Sequence, residues 1–124
     1  TIAVGAPNTG QSGSVYLHEL SGGSLSAATR IVSPDPALTA RFGKEVELFG
    51  DYLFVGAPQH SQLAQGGGGV YVYRRQPDGS WSLRRTLFPS DPLVDGRFGA
   101  TVSATDPYVA IGHNTAESTA NAEL

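Results

Sequence analysis

The string Val-Gly-Ala-Pro occurs at residues 4–7 and returns at residues 55–58, 51 positions later. A degenerate copy, Ile111-Gly112-His113-Asn114, follows a further 56 positions on. Arg-Phe-Gly at residues 41–43 recurs at residues 97–99, again 56 apart, and Ser14-Val15-Tyr16 is matched by Gly69-Val70-Tyr71, 55 apart. Three separate landmarks that agree on one spacing are an internal repeat. A unit of this length buries its apolar surface only against its neighbours, which restricts the fold to a solenoid, a propeller or an array.

Inside each period the pattern is one of short strands. Residues 2–6 are an apolar run closed by Pro7, as in a strand covered on both faces. Residues 14–20 set Val15 and Leu17 against Tyr16 and His18, then Ser21-Gly22-Gly23 signals a hairpin turn, and residues 25–32 read as a weaker strand. Residues 33–41 contain Pro34 and Pro36 and read as a connection. The complete unit follows, with strands predicted over 42–49, 52–57, 70–75 and 81–87. They are joined by a minimal turn at Phe49-Gly50-Asp51, a long loop over 58–68 and a turn at Gln76-Pro77-Asp78-Gly79.

Residues 81–87 alternate Trp81, Leu83, Arg85 and Leu87 with Ser82, Arg84 and Thr86, which predicts a half-exposed edge strand of unbroken period two. Asp91-Pro92 and Arg97 repeat Asp35-Pro36 and Arg41, and strands over 98–104 and 108–112 open another unit. Residues 113–124 carry no strand signal and are expected to be disordered or to lead into further chain.

Sixteen Gly and eight Pro suit this economy of short strands and turns, and no stretch sustains a helical period. Four-stranded antiparallel meanders repeated around an axis are β-propeller blades. The chain therefore reads as all-β, with about two and a quarter repeats: a partial blade over 1–41, a complete blade over 42–97 and a partial blade over 98–124. Cut blade faces would expose residues such as Val46, Leu48, Leu53 and Val55, and these faces are expected to be covered by more chain, other copies or a partner. Each is worth roughly 1.5–3 kcal/mol when buried.

The succession Phe-Gly, strand, Gly-Asp, strand, Val-Gly-Ala-Pro, loop, Gly-Val-Tyr-Val-Tyr and Asp-Gly-Ser-Trp resembles the FG-GAP repeat, the blade of the integrin α-subunit propeller and of many bacterial surface proteins. The motif residues are Gly5, Ala6, Pro7, Phe42, Gly43, Gly56, Ala57, Pro58, Phe98 and Gly99. Their physical logic is structural. Gly43 and Gly56 lack a Cβ and permit close backbone approach, Pro58 ends a strand without stranding an N–H, and Phe42 and Phe98 are placed to plug the space between blades. Integrin-like blades often hold a calcium loop of the Asp-x-Asp-x-Asp-Gly kind between their first two strands. Here Phe49-Gly50-Asp51 and Thr105-Asp106-Pro107 offer one carboxylate each, whereas calcium takes six to eight oxygens. The resemblance thus implies no metal, and no cofactor is expected.

A formal charge of −3 with eight Lys and Arg argues against nucleic acid, and no apolar run approaches the length of a membrane span. With no Cys there are no disulfides or thiolate metal sites. The absence of Met marks a mature segment, a fragment or part of something larger, with any targeting signal removed or lying elsewhere. His60 and His113 both follow the second strand of their repeats and are expected to be solvated loop residues rather than a shared ligand site. His18 is expected within the sheet. Asp35 with Arg41, and Asp91 with Arg97, are read as pairs ordering the connections, with an anionic ligand gripped by Arg41 and Arg97 as the alternative. The run Gly66 to Gly69 precedes a strand rather than a helix and is read as a flexible loop rather than a phosphate cradle.

The nucleophile pattern G-x-S-x-G is absent, and no enzyme is expected. The resemblance points instead to an extracellular or cell-surface binding and adhesion module that contacts a protein or carbohydrate ligand through loops on one face. Arg41, Arg97, Gln59, His60 and His113 are the candidate contacts. The alternative is a building block that associates with further copies or blades through its blade faces. A propeller accessory to an enzyme ranks last.

Overall fold

The computed structural model describes residues 1–35 and 39–113 in full and residues 120–123 as backbone. Pro36, Asn114 at the end of the degenerate motif, and most of the tail lie outside the described residues. Among the described residues every regular element is a strand. They are β1 (Ile2–Ala6), β2 (Ser14–His18), β3 (Leu20–Ser21), β4 (Ser24–Leu25), β5 (Thr29–Val32), β6 (Glu45–Phe49), β7 (Tyr52–Ala57), β8 (Gly69–Arg75), β9 (Trp81–Leu87), β10 (Val102–Thr105), β11 (Tyr108–Ile111) and β12 (Ala120–Glu123). They form three blade-like antiparallel sheets, β1-β2-β5, β6-β7-β8-β9 and β10-β11-β12, with β3-β4 as a separate hairpin. Gly22 and Gly23, at φ 57° and 79°, close that hairpin in the two-residue turn whose central positions both need positive φ.

The middle sheet is covered on both faces, and period-two alternation sorts its side chains between them. Leu53, Val55, Ala57, Tyr71 and Tyr73 pack with Val15 and Leu17 of the first sheet, while Ala3 and Ile31 lie against the same cluster. Phe54, Val70 and Val72 point the other way and pack with Val102, Val109 and Ile111 of the third sheet. The cover expected for Val46, Leu48, Leu53 and Val55 is supplied by the chain itself. The first sheet closes over that face, burying Leu53 and Val55 completely and Val46 and Leu48 in part.

Each joint between sheets is built from the same parts. Phe42, fully buried, fills the first joint and meets Tyr71 edge-on at 5.2 Å between ring centroids, while Phe98 fills the second. The backbones come too close for side chains. A Cβ on Gly5 would overlap the Gly43 carbonyl, and a Cβ on Gly56 would overlap the Gly99 carbonyl. The Gly of Gly-Ala-Pro in one repeat thus fits the Gly of Phe-Gly in the next. The loop of each sheet also binds the start of its successor: Phe42 N–H donates to the Ser12 carbonyl at 2.8 Å, and Phe98 N–H to the Gly67 carbonyl at 2.9 Å.

Two elements depart from the sequence expectation. β8 and β9 run Val72 opposite Arg85 and Tyr73 opposite Leu83, so Arg84 is an extra residue in a β-bulge. The bulge reverses the facing of β9 part-way along: Trp81 packs on the first cluster and Leu87 on the second, where unbroken alternation puts both on one side. The tail, read as strandless, supplies β12, whose residues 120–123 pair with residues 108–111 of β11.

Candidate functional site

Chain direction gathers the long loops at one end of the sheets. Residues 7–13 link β1 to β2, residues 58–68 link β7 to β8, and residues 33–44 and 88–101 connect successive sheets. The tight turns, Gly50-Asp51 and residues 76–80, lie at the other end. The β7–β8 loop is eleven residues long against seven in the first sheet. These four extra residues account for the change in repeat spacing from 51 to 55 across the loop.

That longer loop and the flanking connections enclose a pocket of about 180 Å³, lined by Thr39, Gln59, Ser61, Gln65, Gly66, Asp95 and Arg97. Main-chain bonds fix its wall. Asp95 N–H donates to the Gln65 carbonyl at 2.8 Å, Arg97 N–H to the Gly66 carbonyl at 3.0 Å, and Gln59 N–H to the Ala40 carbonyl at 3.1 Å. Ser61 braces the loop across itself, its hydroxyl donating to the Gln59 carbonyl at 3.1 Å and accepting from Gly66 N–H at 3.0 Å. Asp95 and Arg97 both adopt φ 55°, a left-handed conformation uncommon for non-glycine residues. Backbone of this kind persists where its surroundings enforce it, and it concentrates at ligand sites.

Residues 26–73, from just before β5 to near the end of β8, match the family model of the FG-GAP repeat. These residues are an FG-GAP repeat. No curated protein matches the chain. The FG-GAP repeat, together with the blade-like sheets, points to a propeller-type binding module. The matched span runs from the last strand of the first sheet into the third strand of the second, so it contains Phe42 and Gly43 of the first joint, while Gly5 and Ser12, which meet them, lie before it.

Of the five loop candidates, the pocket brings together Gln59 and Arg97. Arg41 shares the left-handed conformation of Arg97, at φ 55°, but does not line the pocket. His60 is 1% exposed, and the expectation of a solvated histidine is corrected. Its Nδ1 accepts from Gln62 N–H at 3.3 Å, which leaves Nε2 to donate to Asp35 Oδ2 at 3.3 Å. The same carboxylate oxygen accepts from the Tyr71 hydroxyl at 2.6 Å. This hydrogen bond, with His60 adding to it, holds Asp35 below the usual carboxylate value. Burial, reinforced by Asp35, pushes the Tyr71 hydroxyl up.

Asp35 therefore ties the connection to the interior of the following sheet through Tyr71 and His60, all within the matched FG-GAP repeat. Among the described residues no ion pair joins Asp35 to Arg41 or Asp91 to Arg97. His113 occupies the place of Ala57 in its repeat and packs beside Phe98 at 6.2 Å, with both ring nitrogens buried and without hydrogen-bond partners. Gly96, in the place of Ala40, leaves room for it: a Cβ there would overlap the imidazole. His18 sits in β2, its Nδ1 3.0 Å from the Ser26 carbonyl.

Thr39, Ser61, Gln65 and Asp95 fall in the segments 33–41, 59–67 and 89–97 that the sequence points to as the ligand face, but nothing in it singles them out as pocket residues. The lengthened loop was the available signal, visible as the drift in repeat spacing.

Proposed function

We propose that this chain is an extracellular or cell-surface binding and adhesion module whose ligand, a carbohydrate or a polar side chain of a partner protein, enters the pocket between the β7–β8 loop and the β9–β10 connection. The observation that carries this reading is the convergence of two amides, two hydroxyls, a carboxylate and a guanidinium on one small cavity with a hydrogen-bonded rim. Such a set donates and accepts in several directions, as recognition of a sugar hydroxyl or a polar side chain requires. A volume of about 180 Å³ suits one such group, less than the several hundred cubic ångströms typical of drug-sized ligands.

Binding is favoured over turnover because His60 and Tyr71, the side chains that flank the Asp35 carboxylate, are each 1% exposed and closed to substrate. Screening the chain on a glycan array and on immobilised surface proteins, beside Gln59→Ala and Arg97→Ala, tests the reading. Retained binding and folding in both variants would overturn the assignment of the pocket.

A second reading, a building block assembling through blade faces, is favoured by Ile2 and Val4. They are 41% and 49% exposed, while their counterparts Leu53 and Val55 are fully buried. Mass in solution distinguishes this reading from the first.

A further inference from the structure

The end of the middle sheet opposite the proposed ligand pocket carries an open groove of about 860 Å³, lined by Asp51, Arg74, Arg75, Gln76, Pro77, Ser82, Leu83 and Arg84. In a chain of formal charge −3 with eight basic residues in all, three arginines on one groove are a marked concentration. Arg75 is engaged by Glu19 of the first sheet at 3.1 Å. Arg74 lies over the Tyr52 ring at 5.9 Å, and among the described residues neither Arg74 nor Arg84 forms an ion pair. The groove is braced from below by Gln76, whose amide donates to the Ser82 hydroxyl at 2.7 Å and to the Arg74 carbonyl at 3.2 Å.

The bulge explains how Arg84 comes to be there. As the extra residue of β9 it has no partner on β8, and bulges of this kind re-aim a side chain. Arginines and bulges also protect exposed edge strands from pairing. Edge protection accounts for Arg84 alone, because Arg74 is on β8, between β7 and β9, with no edge to guard.

We infer that this groove binds an acidic peptide segment of a partner protein, with Arg74 and Arg84 as its carboxylate contacts. Guanidinium and carboxylate match in plane and charge, and their paired hydrogen bonds are among the stronger ones in proteins. A peptide is favoured over an anionic glycan by two features of the same surface. Leu83, 44% exposed, and Pro77 offer apolar contact beside the arginines. β9 is also the outer strand of its sheet and presents main-chain groups that an extended peptide can meet.

The test is a fluorescence-anisotropy titration of the chain with labelled hexaglutamate at low and at physiological salt. Saturable binding is expected, weakening as salt rises. It should fall at least tenfold in the double variant Arg74→Ala with Arg84→Ala, be abolished by Arg84→Glu, and be unchanged in Lys44→Ala, thermal unfolding confirming that each variant folds. No saturable binding, or an equal loss in Lys44→Ala, would overturn the inference. So would preferential binding of a heparin hexasaccharide through the same arginines, which would assign the groove to anionic carbohydrate.

Discussion

Asp35 shows how one carboxylate can hold a joint. It lies on the connection, 44% exposed by its side chain, yet accepts from Tyr71 and His60, both inside the second repeat. Its acidity is enhanced in the folded state, chiefly by the Tyr71 hydroxyl. A depressed carboxylate contributes stability that is complete above its ordinary value of 3.8 and is lost as pH falls through the lower folded value. Tyr71 works at the other limb. Its ionisation is raised above 10.0, so its contribution is whole below that value and is lost as pH climbs through the folded one. Asp35→Asn should therefore destabilise the chain at neutral pH and flatten the loss of stability on acidification. The cost should lie near the lower end of the roughly 1.5–3 kcal/mol typical of hydrogen bonds to charged groups, because water screens the exposed carboxylate. Chemical denaturation followed by Trp81 fluorescence, at neutral pH and in acid, measures both effects; parallel acid limbs in variant and parent would refute them. None of this is legible in the sequence, whose repeated spacing pairs Asp35 with Arg41, six positions away. The true partners, His60 and Tyr71, are 25 and 36 positions away and meet it only once the sheets stack. The motif glycines were legible, since a repeated Gly at a strand end points to close backbone approach wherever it falls. Which glycine faces which, Gly5 with Gly43 and Gly56 with Gly99, required the joint itself.

At the scale of elements, β9 separates what a pattern can reveal from what pairing decides. Residues 81–87 alternate well enough in sequence to predict a single buried side. The ladder with β8 slips by one residue at Arg84, and the strand anchors one end in each core: Trp81 with Tyr71 and Tyr73, Leu87 with Val70 and Val72. An isolated strand sequence holds no signal for the slip, because Arg84 and Arg85 are equally at home facing solvent. Deleting Arg84 would restore regular pairing and force a choice between the anchors. If Leu87 keeps its place, Trp81 swings away from the first cluster, so the deletion should cost roughly the burial of one large side chain, about 1.5–3 kcal/mol. It should also shift the emission of the single tryptophan to longer wavelength. Arg84→Ala keeps the residue count and should leave the emission unchanged. Matching spectra for the deletion and the parent would show that the two anchors do not depend on the bulge.

For the whole molecule, the sheets stack with a consistent polarity, each presenting one kind of face to its predecessor and another to its successor. Toward the first sheet, the second presents Leu53, Val55, Tyr71 and Tyr73; toward the third, it presents Phe54, Val70 and Val72. This polarity makes the two outer faces unequal. The first sheet turns outward the counterparts of Leu53, Val55 and Tyr71, namely Ile2, Val4 and Tyr16, and with them Val32, which is 56% exposed. Among the described side chains, β10 and β11 of the third sheet turn out Ser103, Thr105, Tyr108 and Ala110, which apart from the tyrosine are small or polar. Association driven by apolar contact should therefore start from the first sheet. The pair Ile2→Ser with Val4→Ser should raise the concentration at which the chain associates, whereas Tyr108→Ser should move it little. Light scattering over a concentration series on the parent and both variants reads this directly. Equal behaviour of all three, or a stronger effect from Tyr108, would mean that the polarity of stacking does not govern association. A parent that stays monomeric throughout would mean that β1 and β2 tolerate an open face, and the burial that holds the second sheet would then be a local need rather than a rule for every repeat.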